Sequence, residues 1–272
     1  MPKTKRRKKI RNPMIWSIVG VACAMLLILV CVFLIMDGSE TAQARKTQVT
    51  TSEIPYSPDD FVIRNGFMEC VSVPYATGID VSFYQGDIDW QAVKAQGVDF
   101  VFIRVGGRGS SEGELFADTK AQEYYTSAKA AGLQIGAYFF SQAISEEEAI
   151  QEAEYTLDLI ADWELDLPVV FDWEYIDKEA RTGKMRGPLL TQCTLAFCQT
   201  IENAGLEPMI YFNESQGTDL LNLTQLQQYP FWLAKYNGAL DFPHQVDYWQ
   251  YSETGKVDGI SGNVDLNIFI ES

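Results

Sequence analysis

Histidine is almost missing from this sequence: the 272 residues contain one, His244. A zinc-hydrolase HExxH motif needs two, so that class is excluded. His244 lies in the run Asp241-Phe242-Pro243-His244 with no nucleophile elbow nearby, so Ser-His and Cys-His chemistry is unsupported and a surface-loop role is expected. Cysteine is also scarce. Of the five, Cys23 and Cys31 fall in an apolar N-terminal run, and Cys70, Cys193 and Cys198 lack the spacing of a zinc site. Cys193 and Cys198, five apart on a helical pattern, do not share a face and are expected to be buried thiols. No metal or cofactor is expected, and any enzymatic chemistry falls to carboxylates. Basic charge is short as well, with 21 Lys+Arg against 37 Asp+Glu for a net −16. Seven of those basic residues (Lys3, Lys5, Arg6, Arg7, Lys8, Lys9 and Arg11) precede residue 36, where no acid occurs. The rest holds 14 basic residues against 37 acidic ones, a balance of −23, which argues against a nucleic-acid partner.

What is present begins with an apolar run. Met14 to Met36 carries no charge over 23 residues, roughly 35 Å of helix and enough to cross a bilayer. Basic residues precede it and Asp37 follows, so the positive-inside rule places residues 1–13 in the cytoplasm and the acidic bulk outside. The rival is a secretory signal cleaved after Ala44, in Ala42-Gln43-Ala44; the length of the apolar run favours a retained anchor. Residues 37–75, rich in Thr, Ser, Glu and Pro, read as an extracellular stalk with some local order near its end.

Residues 76–272 change rhythm, with short β-rich runs alternating with helical patterns. Strands are predicted at Gly78–Ser82, Phe100–Val105, Gln134–Phe140, Pro168–Trp173, Pro208–Phe212, Phe231–Tyr236, Tyr248–Tyr251 and Asn263–Ile268. Helices are predicted near Trp90–Ala95, Leu115–Ala131, Glu146–Trp163, Leu189–Ala204 and Thr218–Gln228. Ser145 with Glu148 forms a capping box, and Gly132 and Gly205 sit at C-cap positions. Helices separate only the first six strands. The fold class is α/β: a modified TIM-type barrel of five βα units followed by three strands. Gly106-Gly107-Arg108-Gly109 matches no phosphate-loop motif and reads as a flexible loop at the barrel mouth.

Barrel active sites are built at strand ends, and acids recur there: Asp80, Asp172, Glu174 and Asp265. Any one of them alone would read as a surface residue of an acidic protein; four at the ends of apolar strands are harder to dismiss. Asp172 and Glu174 are two apart in Val170-Phe171-Asp172-Trp173-Glu174, which puts both on one strand face, about 6.5–7 Å apart. Carboxylates sharing a pocket repel, and one can keep its proton. A proton donor beside an anion suits glycosidic cleavage; a divalent-cation cluster is the weaker rival. Tyr138, Phe140, Trp173, Tyr211, Trp232, Tyr236 and Trp249 are either core residues or faces for sugar rings.

Gly78-Ile79-Asp80-Val81-Ser82 with Tyr84-Gln85-Gly86, then Phe171-Asp172-Trp173-Glu174, Trp249-Gln250-Tyr251-Ser252 and Gly259-Ile260-Ser261-Gly262-Asn263-Val264-Asp265-Leu266-Asn267, together resemble family 25 glycoside hydrolases, the lysozyme-type muramidases of bacteria and phages. The resemblance spans about Ala76 to the C-terminus, with the motifs in the family's order. It implies the barrel described above and cleavage of the β-1,4 bond between N-acetylmuramic acid and N-acetylglucosamine in peptidoglycan, with retention. It also implies Glu174 as general acid and Asp172 as the residue that steadies the substrate N-acetyl group or the developing charge. Asp80, Asp265, Tyr138 and Tyr211 match further site positions, and Trp232 and Trp249 are expected to bind substrate beside them. Glu174 is expected to titrate above an ordinary glutamate. Direct attack by Asp172 and assistance by the substrate remain alternatives, as do a silent peptidoglycan-binding barrel and a glycosidase acting on another N-acetylated glycan such as chitin. The expected protein is a monomer tethered to the cell membrane through residues 14–36, its catalytic domain outside and its polymer within reach.

Overall fold

Eight apolar runs of the sequence become eight strands that close on themselves. The computed structural model describes residues 54–236 and 238–271. The expected cytoplasmic tail, anchor and first part of the stalk (1–13, 14–36 and 37–53) lie outside the described residues. Among the described residues no helix is long and apolar enough to cross a membrane.

A hairpin comes first, β1 (Phe61–Arg64) against β2 (Phe67–Cys70). Next come β3 (Tyr75–Val81), α1 (Trp90–Ala95), β4 (Phe100–Arg108), a short β5 (Leu115–Ala117), α2 (Ala121–Ala130) and β6 (Gln134–Ser141). The second half runs α3 (Glu146–Leu159), β7 (Val169–Trp173), α4 (Gly187–Asn203), β8 (Pro208–Asn213), α5 (Glu214–Asp219), α6 (Leu223–Leu226), β9 (Phe231–Ala234), β10 (Tyr248–Gly255) and β11 (Val264–Ile270). Strands β3, β4, β6, β7, β8, β9 and β10 pair in parallel. Antiparallel β11 closes the ring between β10 and β3. Five βα units followed by three strands is thus the architecture, with the helices after β8 reduced to two short turns.

Local chemistry sets the boundaries. The Asp89 carboxylate accepts from Gln91 N and Ala92 N, both at 3.1 Å, and starts α1. Gly132 and Gly205 adopt φ of 81° and 86°, and Leu133 N donates to Ala128 O, Leu206 N to Ile201 O, a Schellman ending that suits glycine. Ser145 Oγ accepts from Glu148 N, but the Glu148 side chain reaches Ile144 N, so only half of the expected capping box forms.

Three sequence expectations are corrected. The segment expected to continue as stalk to residue 75 includes a packed hairpin: Phe67, Met68 and Cys70 are buried in the barrel's outer core, and Tyr251 Oη accepts from Met68 N at 3.1 Å. The hairpin's partners lie about 180 residues away, beyond the reach of local pattern. Leu115–Ala117 is a strand, not the start of a helix, pairing with Gly106–Arg108. Those glycines therefore belong to β4 and form no loop; a Cβ on Gly106 would lie 2.4 Å from Phe116 O, so the close strand approach requires glycine.

Inside the barrel, bulk on one strand fits absence on the next. A Cβ on Gly78 would meet the Phe100 ring at 2.1 Å, and one on Gly136 the Phe102 ring at 2.2 Å. Phe100, Phe102, Val170, Met209 and Trp232 fill the interior. Two residues further along the strands, on the same face, the lining turns polar: Gly78 leads to Asp80, Phe102 to Arg104, Gly136 to Tyr138, Val170 to Asp172 and Met209 to Tyr211. Period-two alternation thereby carries a dry floor up to a polar mouth.

Candidate active site

The polar mouth is a cavity of about 400 Å³ lined by Asp80, Asp172, Glu174 and Asp265, with Tyr138, Tyr211 and Trp232 among its walls. Seven of the eight residues expected from the sequence meet there. The eighth, Trp249, does not. Strand β10 turns Gln250 inward, so Trp249 and Tyr251 face the hairpin; Phe61 packs edge-on to Trp249 at 5.3 Å, and Trp249 Nε1 donates to Lys235 O. Trp249 holds the hairpin and cannot stack on a sugar in the cleft.

Asp80 and Asp265 lie opposite each other across the β3–β11 ladder. Asp265 enters near the start of an antiparallel strand, the same barrel end as the C-terminus of β3. Asp80 Oδ2 accepts from Gln250 Nε2 at 2.7 Å and Asn267 Nδ2 at 2.8 Å. Gln250 Oε1 accepts from Tyr211 Oη at 2.9 Å and Tyr236 Oη at 2.5 Å, which orients its amide toward Asp80. Trp232 Nε1 donates to Asn267 Oδ1 at 2.9 Å, tying the floor to the same network. In the sequence Gln250 and Asn267 carry no signal beyond their place in two motifs, and Arg104 none beyond being a charge in an apolar strand.

Arg104 is the one cation lining the cavity among the described residues. Its Nε and Nη2 each lie 2.9 Å from Asp118 Oδ2, and its guanidinium sits 5.0 Å from the Phe83 ring centre and 5.4 Å from that of Tyr84. Asp118 also accepts from Phe83 N and Lys120 N, so the pair ties the loop after β3 to the loop before α2.

Asp172 is buried, and its Oδ1 has no hydrogen-bond partner among the described residues. Burial, then the charges of Glu174 and Asp80, pushes its carboxyl far above the usual aspartate range, with Arg104 opposing. Glu174 is half-buried at the end of the same strand. Burial and then Asp80 raise it, while the Tyr211 hydroxyl pulls it down. Burial lifts Asp80 to about 6, offset by the bonds from Asn267 and Gln250; burial and Asp80 lift Asp265 to about 8. These four of the five carboxyl groups lining the pocket cannot all stay ionised together.

That crowding has a stability consequence. Each of these groups holds its proton to a higher pH when folded than when unfolded, where Asp and Glu titrate near 3.8 and 4.5. The folded state binds more protons between the unfolded and folded values, so this stability is complete below about pH 4 and is lost progressively as pH rises through about 8. Exposed carboxylates with lowered values, such as Asp87, act in reverse but below about pH 4. The thermal midpoint is expected to be higher at pH 5 than at pH 8, and Asp265→Asn to flatten the upper part of the decline. A midpoint that rises from pH 5 to pH 8 would contradict the site's electrostatics.

The profile of Glycosyl hydrolases family 25 matches residues 79–260. The autolytic lysozyme of Clostridium acetobutylicum is 33% identical over 196 residues, covering 71% of this chain and 56% of its own length. Lysozyme M1 of Streptomyces globisporus is 30% identical over 203 residues, covering 71% of this chain and 67% of its own length. Among solved structures, the bacterial lysozyme from Streptomyces coelicolor superposes with a TM-score of 0.58 at 29% identity, over 72% of this chain and 93% of that one. The modular autolysin LytC from Streptococcus pneumoniae, in complex with synthetic peptidoglycan ligand, gives 0.65 at 25% identity, over 77% and 52%. The chain therefore spans little more than half of some of the relatives it matches.

Proposed function

The chain belongs to glycosyl hydrolases family 25, and from that premise we propose that it is a muramidase cleaving the β-1,4 bond between N-acetylmuramic acid and N-acetylglucosamine in peptidoglycan. The observation that carries this reading is the pair of carboxyls leaving one strand, Asp172 and Glu174, into a cleft whose other acids are Asp80, Asp265 and Glu253.

Glu174 is the general acid. Its raised titration keeps a proton available, and its position at the rim lets it meet a leaving oxygen. Asp172 steadies the substrate acetamide: its unpartnered Oδ1 is free to accept the acetamide N–H. The acetamide oxygen then attacks C1 as the bond from C1 to the leaving oxygen breaks, and the Glu174 proton goes to that oxygen. Water next adds to C1, giving its proton back to Glu174 and reopening the acetamide ring, so configuration is retained. This is the substrate-assisted exception to the two-carboxylate scheme, and two carboxyls two residues apart where one strand ends suit it. Asp80 and Asp265 shape the sugar site, with Tyr138, Tyr211 and Trp232 as its walls.

Residues 14–36 serve as a membrane anchor with the barrel outside the cell. Their 23 uncharged residues behind seven basic ones support this reading. Tethering then confines the enzyme near its polymer. The protein acts as a monomer.

The test is digestion of purified peptidoglycan and of chitin by the detergent-purified full chain. Soluble glycan fragments from peptidoglycan and none from chitin are expected. Fragments from chitin alone would give the protein another N-acetylated substrate, and tight binding without release would make it a silent wall-binding barrel.

A further inference from the structure

The pairing of β7 stops at the residues that matter most. Its ladder ends at Asp172 on the β8 side and at Trp173 on the β6 side. The carbonyls of Trp173 and Glu174 therefore have no strand to meet, yet both are satisfied. Gln216 Nε2 donates to Trp173 O at 2.8 Å, and Gln142 Nε2 donates to Glu174 O at 2.8 Å. The two glutamines come from opposite sides, Gln142 directly after β6 and Gln216 in α5 after β8, and both are buried.

Each amide is locked in orientation. Gln216 Oε1 accepts from Asn213 N at 2.8 Å while Gln216 N donates to Asn213 Oδ1 at 2.9 Å; a backbone N–H must face an oxygen, so Nε2 must face Trp173 O. Gln142 Oε1 accepts from Thr182 Oγ1 at 3.0 Å. Gln142 thus touches the loop after β7 at two points, residue 174 through its nitrogen and residue 182 through its oxygen. The same loop is fastened again by Arg181, which donates to Gln142 O and grips Glu148 through Nη1 at 2.8 Å and Nη2 at 2.6 Å.

We propose that Gln142 and Gln216 are positioning residues for the acid Glu174: their side-chain amides take over the β7 ladder where its neighbours diverge, and fix the direction in which Glu174 enters the cleft. This rests on Glu174 being the general acid. A misplacement of about 1 Å at a reacting group costs up to roughly a hundredfold in rate, so the clamp acts on kcat through geometry and not through contact with substrate.

The test uses Gln142→Met and Gln216→Met, close in volume and unable to bond. Each is expected to lower kcat on peptidoglycan by about ten- to a hundredfold, with KM within about twofold of wild type. Glu174 faces Asp80, Asp172, Asp265 and Tyr211, all unchanged in the variants. Its carboxyl titration, followed by carbon NMR and assigned with Glu174→Gln, should move toward an ordinary glutamate as water reaches the loosened side chain. A third variant, Gln216→Glu, keeps the acceptor for Asn213 N and regains a donor only when protonated. Its kcat relative to wild type should recover as pH falls. Folded variants with wild-type kcat and an unmoved titration would overturn the proposal, as would a lowered thermal midpoint with kcat intact, which marks a purely structural role. If the wild type releases no glycan, the muramidase reading fails, and the titration still decides whether the clamp holds Glu174.

Discussion

Glu174→Gln is expected to lower the rate of glycan release by about a thousandfold while leaving the barrel folded. General acid catalysis contributes about a hundred- to ten-thousandfold, and the amide cannot give a proton to the leaving oxygen. Stability should hold or rise slightly, because the substitution removes a carboxyl that crowds Asp80 and Asp172. The check is a paired measurement of released reducing ends and of the thermal midpoint. Wild-type release by a folded Glu174→Gln protein would remove Glu174 from the reaction.

The largest loss of stability is expected away from the cleft, at Arg108. Its Nε lies 2.7 Å from Glu152 Oε1, with almost no exposure on either side chain, and its other nitrogens reach Gly113 O at 2.8 Å and Glu148 O at 3.2 Å. Burial lifts Glu152 to about 7 even with Ser141 and Arg108 bonding to it. Arg108→Met leaves this buried carboxyl with no counter-charge, only Ser141 Oγ and the Gln142 N–H still donating to it, and breaking a buried pair costs about 3–5 kcal/mol. For a domain of this size that lowers the thermal midpoint by about 10 °C. The deficit should shrink at pH 5, where Glu152 can take up a proton, and the double variant Arg108→Met with Glu152→Gln should recover part of it. A deficit that does not vary between pH 5 and pH 8 would show that Glu152 is not the stranded group.

Asp172 and Glu174 were legible because strand parity is local: two residues apart at the end of an apolar run means one face and one pocket. The eight strands were legible for the same reason. Parity also explains the failure at Trp249. Barrel strands are buried on both faces, so alternation in Trp249-Gln250-Tyr251 shows that two faces exist without showing which one is the cleft. The choice is made by the hairpin at Phe61–Cys70, whose short apolar patches looked like the end of a stalk because their partners lie far along the chain. Gly106-Gly107 looked like a loop because glycine usually marks one; only the approach of Phe116 from β5 explains it. Gln142, Gln216, Gln250 and Asn267 had no periodic signal. Each is a single polar residue whose role appears only when the barrel brings a carbonyl, a phenol or a carboxyl to meet it.

If the carboxyl pair at the end of β7 cuts peptidoglycan on the muramic acid side, the sugar at the new reducing ends identifies it, read by borohydride reduction and mass spectrometry after the full chain digests purified peptidoglycan. Reduced N-acetylmuramic acid is expected, absent with Glu174→Gln. Reduced N-acetylglucosamine, or muramic acid ends that persist in that variant, would contradict it.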